Sequence, residues 1–162
     1  MDTNTFYAVT AATCFALVGL WWTVVKDKSE WFKTEATTRM AGGVYASFLI
    51  PALMSLGAQV GGNNPLVWQG VFVIASLAGI TFSSKLVKLV RAFNPKGPFS
   101  KNSWMVPFLY GFVLLFAIFP RLGVAITGLA PLQLEGLLLC VLILAAHTLA
   151  WEFTTVQAAR KE

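Results

Sequence analysis

The chain has 162 residues, of which 57% are hydrophobic and only 12% are charged, whereas a soluble domain carries about 25% charged residues. The net charge is +5 and the sequence pI is near 9.5. No Asp, Glu, Lys or Arg occurs between Met40 and Ser84. A soluble fold of this size could not hide so long an uncharged run, because its surface needs solvated groups. The composition therefore excludes a water-soluble domain and indicates a protein embedded in lipid.

Five apolar segments are each long enough to cross a bilayer as a helix, which takes about 20 residues. Their approximate bounds are 5–25, 41–60, 66–84, 104–125 and 132–151. The predicted fold class is therefore all-α: a polytopic transmembrane helical bundle with five spanning helices, forming a single membrane domain over residues 1–162.

The basic residues predict the orientation of this bundle. All of them except Arg121 lie between the first and second segments, between the third and fourth, or in the tail that holds Arg160 and Lys161. The connectors 61–65 and 127–131 carry no charge. Because Lys and Arg concentrate in cytoplasmic loops, this alternation predicts an N-terminus outside and a C-terminus in the cytoplasm. We expect a multi-pass protein of a plasma membrane of the bacterial inner-membrane type.

Several chemistries lack the residues that they need. The middle of the segments carries no charged side chain of the kind that proton- or sodium-coupled transporters use. Cys14 and Cys140 form no Cys-x-x-Cys pair, and no catalytic set or phosphate-binding loop is readable. The positive-inside loops account for the basic pI. We therefore expect no enzyme activity, no cofactor, no metal site and no nucleic-acid partner, with the lipid bilayer as one partner.

Two ionisable residues lie on either side of the short connector 127–131. Arg121 follows Pro120 late in the fourth segment, and Glu135 lies in the first turn of the fifth. Both should sit at a similar depth, where pairing would reduce the cost of two charges near the hydrocarbon. The sequence thus predicts a structural ion pair between Arg121 and Glu135.

His147 is the only histidine, and it lies one turn before Trp151 in the fifth segment. Cys140 is about 10 Å away along a helix, too far to share a metal ion with it. The ordinary interpretation is a hydrogen-bonded packing histidine, and the alternative is a polar or proton-relay site.

The third segment keeps helical character beyond its apolar run. Lys85, Lys88 and Arg91 recur every three residues and form one face, and the helix should end at Asn94, which precedes a proline. The functional hypothesis is a contact with lipid of the inner leaflet. The alternative is a solvated helix end with snorkelling cations. Trp31, in the first basic connector, is interpreted as dipping into the same leaflet surface.

Small residues recur at a spacing of four, which places them on one side of a helix. They are Ala8, Ala12, Ala16 and Gly19 in the first segment, Gly43, Ser47, Gly57 and Gly61 in the second, and Ala75, Gly79 and Ser83 in the third. Such faces let helices associate in lipid. Pro51 and Pro120 should kink the second and fourth segments.

These features predict a non-catalytic integral membrane protein that is a subunit of a larger or self-associated membrane assembly. Its partners would be copies of itself or other membrane subunits. The alternative is a passive channel or small-solute permease formed as a homo-oligomer. The polar lining of such a pore would come from Thr10, Thr13, Ser47, Ser55, Gln69, Thr81 and the Arg121–Glu135 rim.

Overall fold

The computed structural model of the chain describes residues 2–62 and 64–159, so the tail cations Arg160 and Lys161 lie outside the described residues. Over the described ranges the chain forms α-helices and one 3-10 helix, Ser29–Phe32, with no strand. The α-helices are α1 (Thr3–Asp27), α2 (Glu35–Gly61), α3 (Pro65–Phe93), α4 (Pro98–Asn102), α5 (Met105–Ile118), α6 (Pro120–Thr127) and α7 (Pro131–Ala159).

Four helices, α1, α2, α3 and α7, are each long and apolar enough to cross a membrane. The bent pair α5 and α6 makes a fifth candidate span if the two helices are counted together. The all-helical bundle with four to five candidate membrane-spanning helices is thus confirmed in its coarse form for the described residues. The end of α3 is also as expected, because the helix stops at Phe93 and Asn94 caps it.

The segment expected at 104–125 differs most from the prediction. It divides into α5 and α6, whose axes differ by 106°. Pro120 begins α6, where its missing N–H costs no hydrogen bond, and Phe119 is the junction residue. The kink expected at Pro120 is therefore a full break. α5 alone extends about 21 Å, less than the hydrocarbon thickness of about 30 Å. Pro51, in contrast, lies inside α2, which continues through it.

The helices α1, α2, α3 and α5 pack as successive neighbours, and α7 packs against α2 and α5. The start of α1 meets the start of α7, because the Tyr7 hydroxyl donates to the Leu132 carbonyl at 2.7 Å. We call this end, with the α2–α3 turn and α6, the amino-terminal end. The opposite end holds the 3-10 helix, α4 and the charged connectors, and we call it the basic end.

Glycines allow the close contact between α2 and α3. An ideal Cβ on Gly43 would overlap Leu86, and one on Gly61 would lie 2.8 Å from the backbone nitrogen of Trp68. Two further close glycine contacts involve these helices: Gly57 against Val71, also between α2 and α3, and Gly79 of α3 against Tyr110 of α5. Dispersion contact between closely approaching backbones is what holds helices together in lipid. The small faces of α2 and α3 are therefore filled within the chain.

Trp31 is not at the lipid surface, so that interpretation is wrong. Its side chain is 3% exposed, and its ring stacks on Trp21 at 5.8 Å and meets the edge of Phe153 at 4.7 Å. The indole of Trp21 donates to the Ala41 carbonyl at 3.0 Å. The 3-10 helix therefore folds Trp31 into an aromatic cluster at the basic end, where its ring packs on Trp21 and Phe153.

Replacing Gly61 by Ala should lower the free energy of unfolding by about 1–3 kcal/mol, since the added methyl meets the backbone of Trp68 and forces the two helices apart. Gly70→Ala is the matched control, because an added Cβ there meets nothing within 4 Å. It should be neutral or stabilise by up to about 1 kcal/mol. Unfolding in detergent monitored by circular dichroism measures both. Equal effects of the two substitutions would contradict the packing described.

Candidate functional site

The packing face of α7 begins with an acid. The buried residues Glu135, Leu139, Leu142, Ala146, Leu149 and Phe153 are spaced alternately by four and three. This spacing is that of a helix side that packs against neighbouring helices. Glu135 therefore points into the bundle rather than to its rim.

Glu135 has no hydrogen-bond partner within the described residues. Its side chain is 0% exposed, and neither carboxyl oxygen receives a hydrogen bond. The nearby phenol of Tyr7 lies within electrostatic range, but its hydroxyl proton goes to the Leu132 carbonyl. Leaving a buried polar group unpaired costs about 1–3 kcal/mol, and more for a charged one. A group kept at that cost inside a membrane bundle is a candidate for function.

The structure does not bring Arg121 and Glu135 together. Across the described ranges the recorded ion pair is Arg39 with Glu35, at 2.5 Å, and none joins Arg121 to Glu135. Arg121 is exposed and lines a groove beside Gln69 of α3. The reason is the break at Phe119, which turns α6 away from the axis of α5, whereas Glu135 faces inward. The short connector places the two residues at the same end of the bundle, but their side chains face in different directions.

Serine hydroxyls continue the polar interior toward the basic end. Ser55 of α2 and Ser76 of α3 are both 0% exposed, and their hydroxyl oxygens have no partner within the described residues. Helix interiors usually satisfy serine through a backbone carbonyl four residues earlier, as Ser47 does with Gly43 at 2.8 Å. Ser55 and Ser76 are thus additional polar groups held inside the bundle.

Closer to the basic end, a small cavity lies between α2, α3, α5 and α7. It encloses about 20 Å³ of space for a water-sized sphere. The hydroxyl-bearing residues on its wall are Ser47, Ser83, Ser103 and Tyr110. A water molecule needs about 10–15 Å³ and two to four polar partners, so this cavity can hold one.

A second buried acid closes this end of the bundle. Glu152 is 5% exposed, and its carboxylate accepts from the Phe99 backbone N–H at 2.7 Å and the Asn94 side-chain amide at 3.2 Å. Gly97 lies directly over the carboxylate, where any side chain would overlap it. Phe99 also lines the serine cavity. Glu152 therefore fixes the α3–α4 connector as a cover over that cavity.

His147 lies on the exposed side of α7. Its Nδ1–H donates to the Ile143 carbonyl at 2.8 Å, and its ring meets Phe48 edge-on at 5.1 Å. This is the arrangement of a hydrogen-bonded packing histidine at the bundle surface. The structure does not join it to Glu135 or Glu152. Its proposed role as a polar or proton site stays a prediction.

Lys85, Lys88 and Arg91 are exposed on the last turns of α3. Between them Leu86 and Val90 are buried against the bundle, so the cationic side chains point away from the protein. Either lipid headgroups or water can meet this face, and the inner-leaflet contact also stays a prediction. No three His, Cys, Asp or Glu side chains of the described residues converge to hold a metal ion.

Sequence reasoning missed Glu152 and the inward direction of Glu135. One signal was available for Glu135, which lies four residues before Leu139 on the apolar stripe of α7. No sequence pattern indicated the contact of Glu152 with Asn94 and Phe99, because these residues are more than 50 positions away in the chain.

Comparison with protein families, curated proteins and solved structures finds no match.

The two acids of α7 should respond oppositely to the same substitution. Glu135→Met replaces an unpaired carboxyl by an apolar group of similar size and should raise the free energy of unfolding by about 1–3 kcal/mol. Glu152→Met leaves the Phe99 N–H and the Asn94 amide unpaired and should lower it by about 1–3 kcal/mol. Each variant is the control for the other in the same detergent unfolding experiment. A fall with both would show that Glu135 has a partner.

Proposed function

We propose that the chain is a non-catalytic subunit of a membrane assembly that docks through α1. One observation carries this proposal. Ala8, Ala12, Ala16 and Gly19 form an exposed small-residue face, and an added Cβ on Gly19 would meet nothing within 4 Å. The corresponding glycines of α2 and α3 are filled by neighbours in the chain. The α1 face, as we name these four residues, is left open for another helix.

Lipid is the solvent around these helices, and this decides what holds them together. Apolar side chains gain little by leaving lipid tails for a partner of equal hydrophobicity, so close backbone approach is the main attraction between membrane helices. The α1 face offers such an approach over about three turns, and no charged side chain interrupts it. Trp22 and Phe15, both exposed, flank it and can pack along a docked helix.

The orientation belongs to the same proposal. The chain starts at the amino-terminal end of the bundle and α7 finishes at the basic end, where Phe153 meets Trp31. We propose five crossings with α5 and α6 as the fourth, the N-terminus outside and the basic end in the cytoplasm of a bacterial-type plasma membrane. The lysines and arginines of the basic end support this direction.

Ala12→Leu should weaken the association, since two methyl groups and a branch point then stand between the helix backbones. The measurement is the mass of the protein complex after extraction in mild detergent, with intermolecular energy transfer in nanodiscs as a second readout. The variant should shift the population toward monomer at least about tenfold, which corresponds to about 1.4 kcal/mol.

Ala78→Leu is the matched control, because Ala78 is exposed on α3 outside the α1 face. It should leave the mass of the complex unchanged. Wild-type protein that is monomeric, with no co-purifying partner, would overturn the proposal.

A second candidate is a passive path for small solutes or water. The observation that favours it is the set of inward hydroxyls and Glu135, which includes the buried Ser55 and the half-buried Ser47 on the wall of the small cavity. Thr13 and Thr81 instead face outward from the bundle. Liposomes containing the protein should then show water or small-solute flux that Glu152→Met increases by loosening the cover. Flux equal to that of protein-free liposomes would exclude this candidate.

A further inference from the structure

The break between α5 and α6 opens a groove at the amino-terminal end. The groove measures about 510 Å³ and lies between α3 and the α5–α6 junction. Its walls are formed by Gln69, Ile118, Phe119, Pro120, Arg121 and Leu122. Two of these side chains are polar, and the remainder form an apolar surface.

Both polar side chains have unused hydrogen-bond donors. No carboxylate in the described ranges pairs with Arg121, and neither Arg121 nor the half-buried Gln69 has a recorded side-chain hydrogen bond there. Arginine within or near a membrane is normally paired, or extends to the headgroups, because an isolated cation in hydrocarbon is costly. The exposed Arg121 can therefore accept an anion from outside the described chain.

The apolar wall indicates what kind of molecule carries that anion. Ile118, Phe119 and Leu122 are all exposed, and they stand beside Arg121 along the bend. α5 extends only about 21 Å, less than the hydrocarbon thickness of about 30 Å, so under the five crossings proposed above the bend falls within the membrane rather than in water. An amphiphile with an anionic head and an apolar tail matches this surface in both charge and polarity.

We propose that this groove binds one phospholipid, with its phosphate on Arg121 and Gln69 and an acyl chain along Ile118, Phe119 and Leu122. A guanidinium presents a planar fork of N–H groups that fits two phosphate oxygens at once. The Gln69 amide supplies a further donor from α3. The site stands apart from the α1 face and does not depend on the assembly function.

The test uses the full chain in nanodiscs that contain phosphatidylglycerol, with native mass spectrometry counting the lipids retained per protein. Wild type should retain one phosphatidylglycerol more than Arg121→Gln, with an affinity at least about tenfold higher at that site. Gln69→Leu, which keeps the cation, should show a smaller loss. Agreement of the two variants guards against a folding defect in either one.

Arg39→Gln is the matched control, because the Arg39 guanidinium already pairs with Glu35 at 2.5 Å and should not hold a lipid. Its lipid count should equal that of wild type. Nanodiscs of a phosphate-free glycolipid should show no difference between wild type and Arg121→Gln.

Three outcomes would overturn the proposal. The first is equal phosphatidylglycerol retention by wild type and Arg121→Gln. The second is displacement of the lipid by inorganic phosphate alone, which would show that the site recognises phosphate and not the acyl chain. The third is a co-purifying protein whose binding, rather than lipid retention, is lost with Arg121→Gln.

Discussion

Hydrocarbon cannot hydrogen-bond to a peptide group, and this constraint decides the architecture of the chain. Uncharged sequence such as Met40–Ser84 is stable there only as helices that satisfy their own backbone. Once the backbone is satisfied, close approach is what holds one helix to the next, which explains why Gly43 and Gly61 lie at the contact of α2 with α3. The open α1 face follows the same principle, because it provides close approach without a neighbour in the chain.

Because the hydrocarbon of the lipid cannot hydrogen-bond to them, the polar side chains inside the bundle stabilise it only where the protein itself supplies a partner. Glu152 is buried with two donors and fixes the α3–α4 connector. Glu135, about 25 Å away along the same helix, has none within the described residues. One acid therefore stabilises the bundle and the other costs stability. Arg121 is the counterpart at the surface, a cation whose expected partner faces elsewhere and whose donors are open to lipid.

Much of this fold could be predicted because helix ends and periodicity are local properties. The stop at Asn94, a bend at Pro120 and the apolar runs all depend on residues close in sequence, although the bend is a full break rather than the expected kink. The direction of α6 is not a local property. After a break in the helix, the position of a residue in the sequence no longer tells which side of the bundle it faces, and the predicted Arg121–Glu135 pair was wrong for that reason. The burial of Trp31 depended on Trp21 and Phe153, which are distant in sequence. Spacing likewise identified several small-residue faces. The packing of the helices then shows that, of these predicted faces, the one on α1 is left open.

The most direct test of the account is the side of the membrane on which each connector lies, because α5 extends only about 21 Å and α6 turns 106° from its axis, so length alone does not establish the fourth crossing. With Cys14 and Cys140 changed to Ser, single cysteines would be introduced as Asn64→Cys, Lys96→Cys and Ala130→Cys and labelled with a reagent that does not cross membranes. The account predicts labelling of Asn64→Cys and Ala130→Cys in intact cells, and of Lys96→Cys only after the membrane is opened. Labelling of Lys96→Cys and Ala130→Cys from the same side would contradict it, since the chain would then cross fewer than five times.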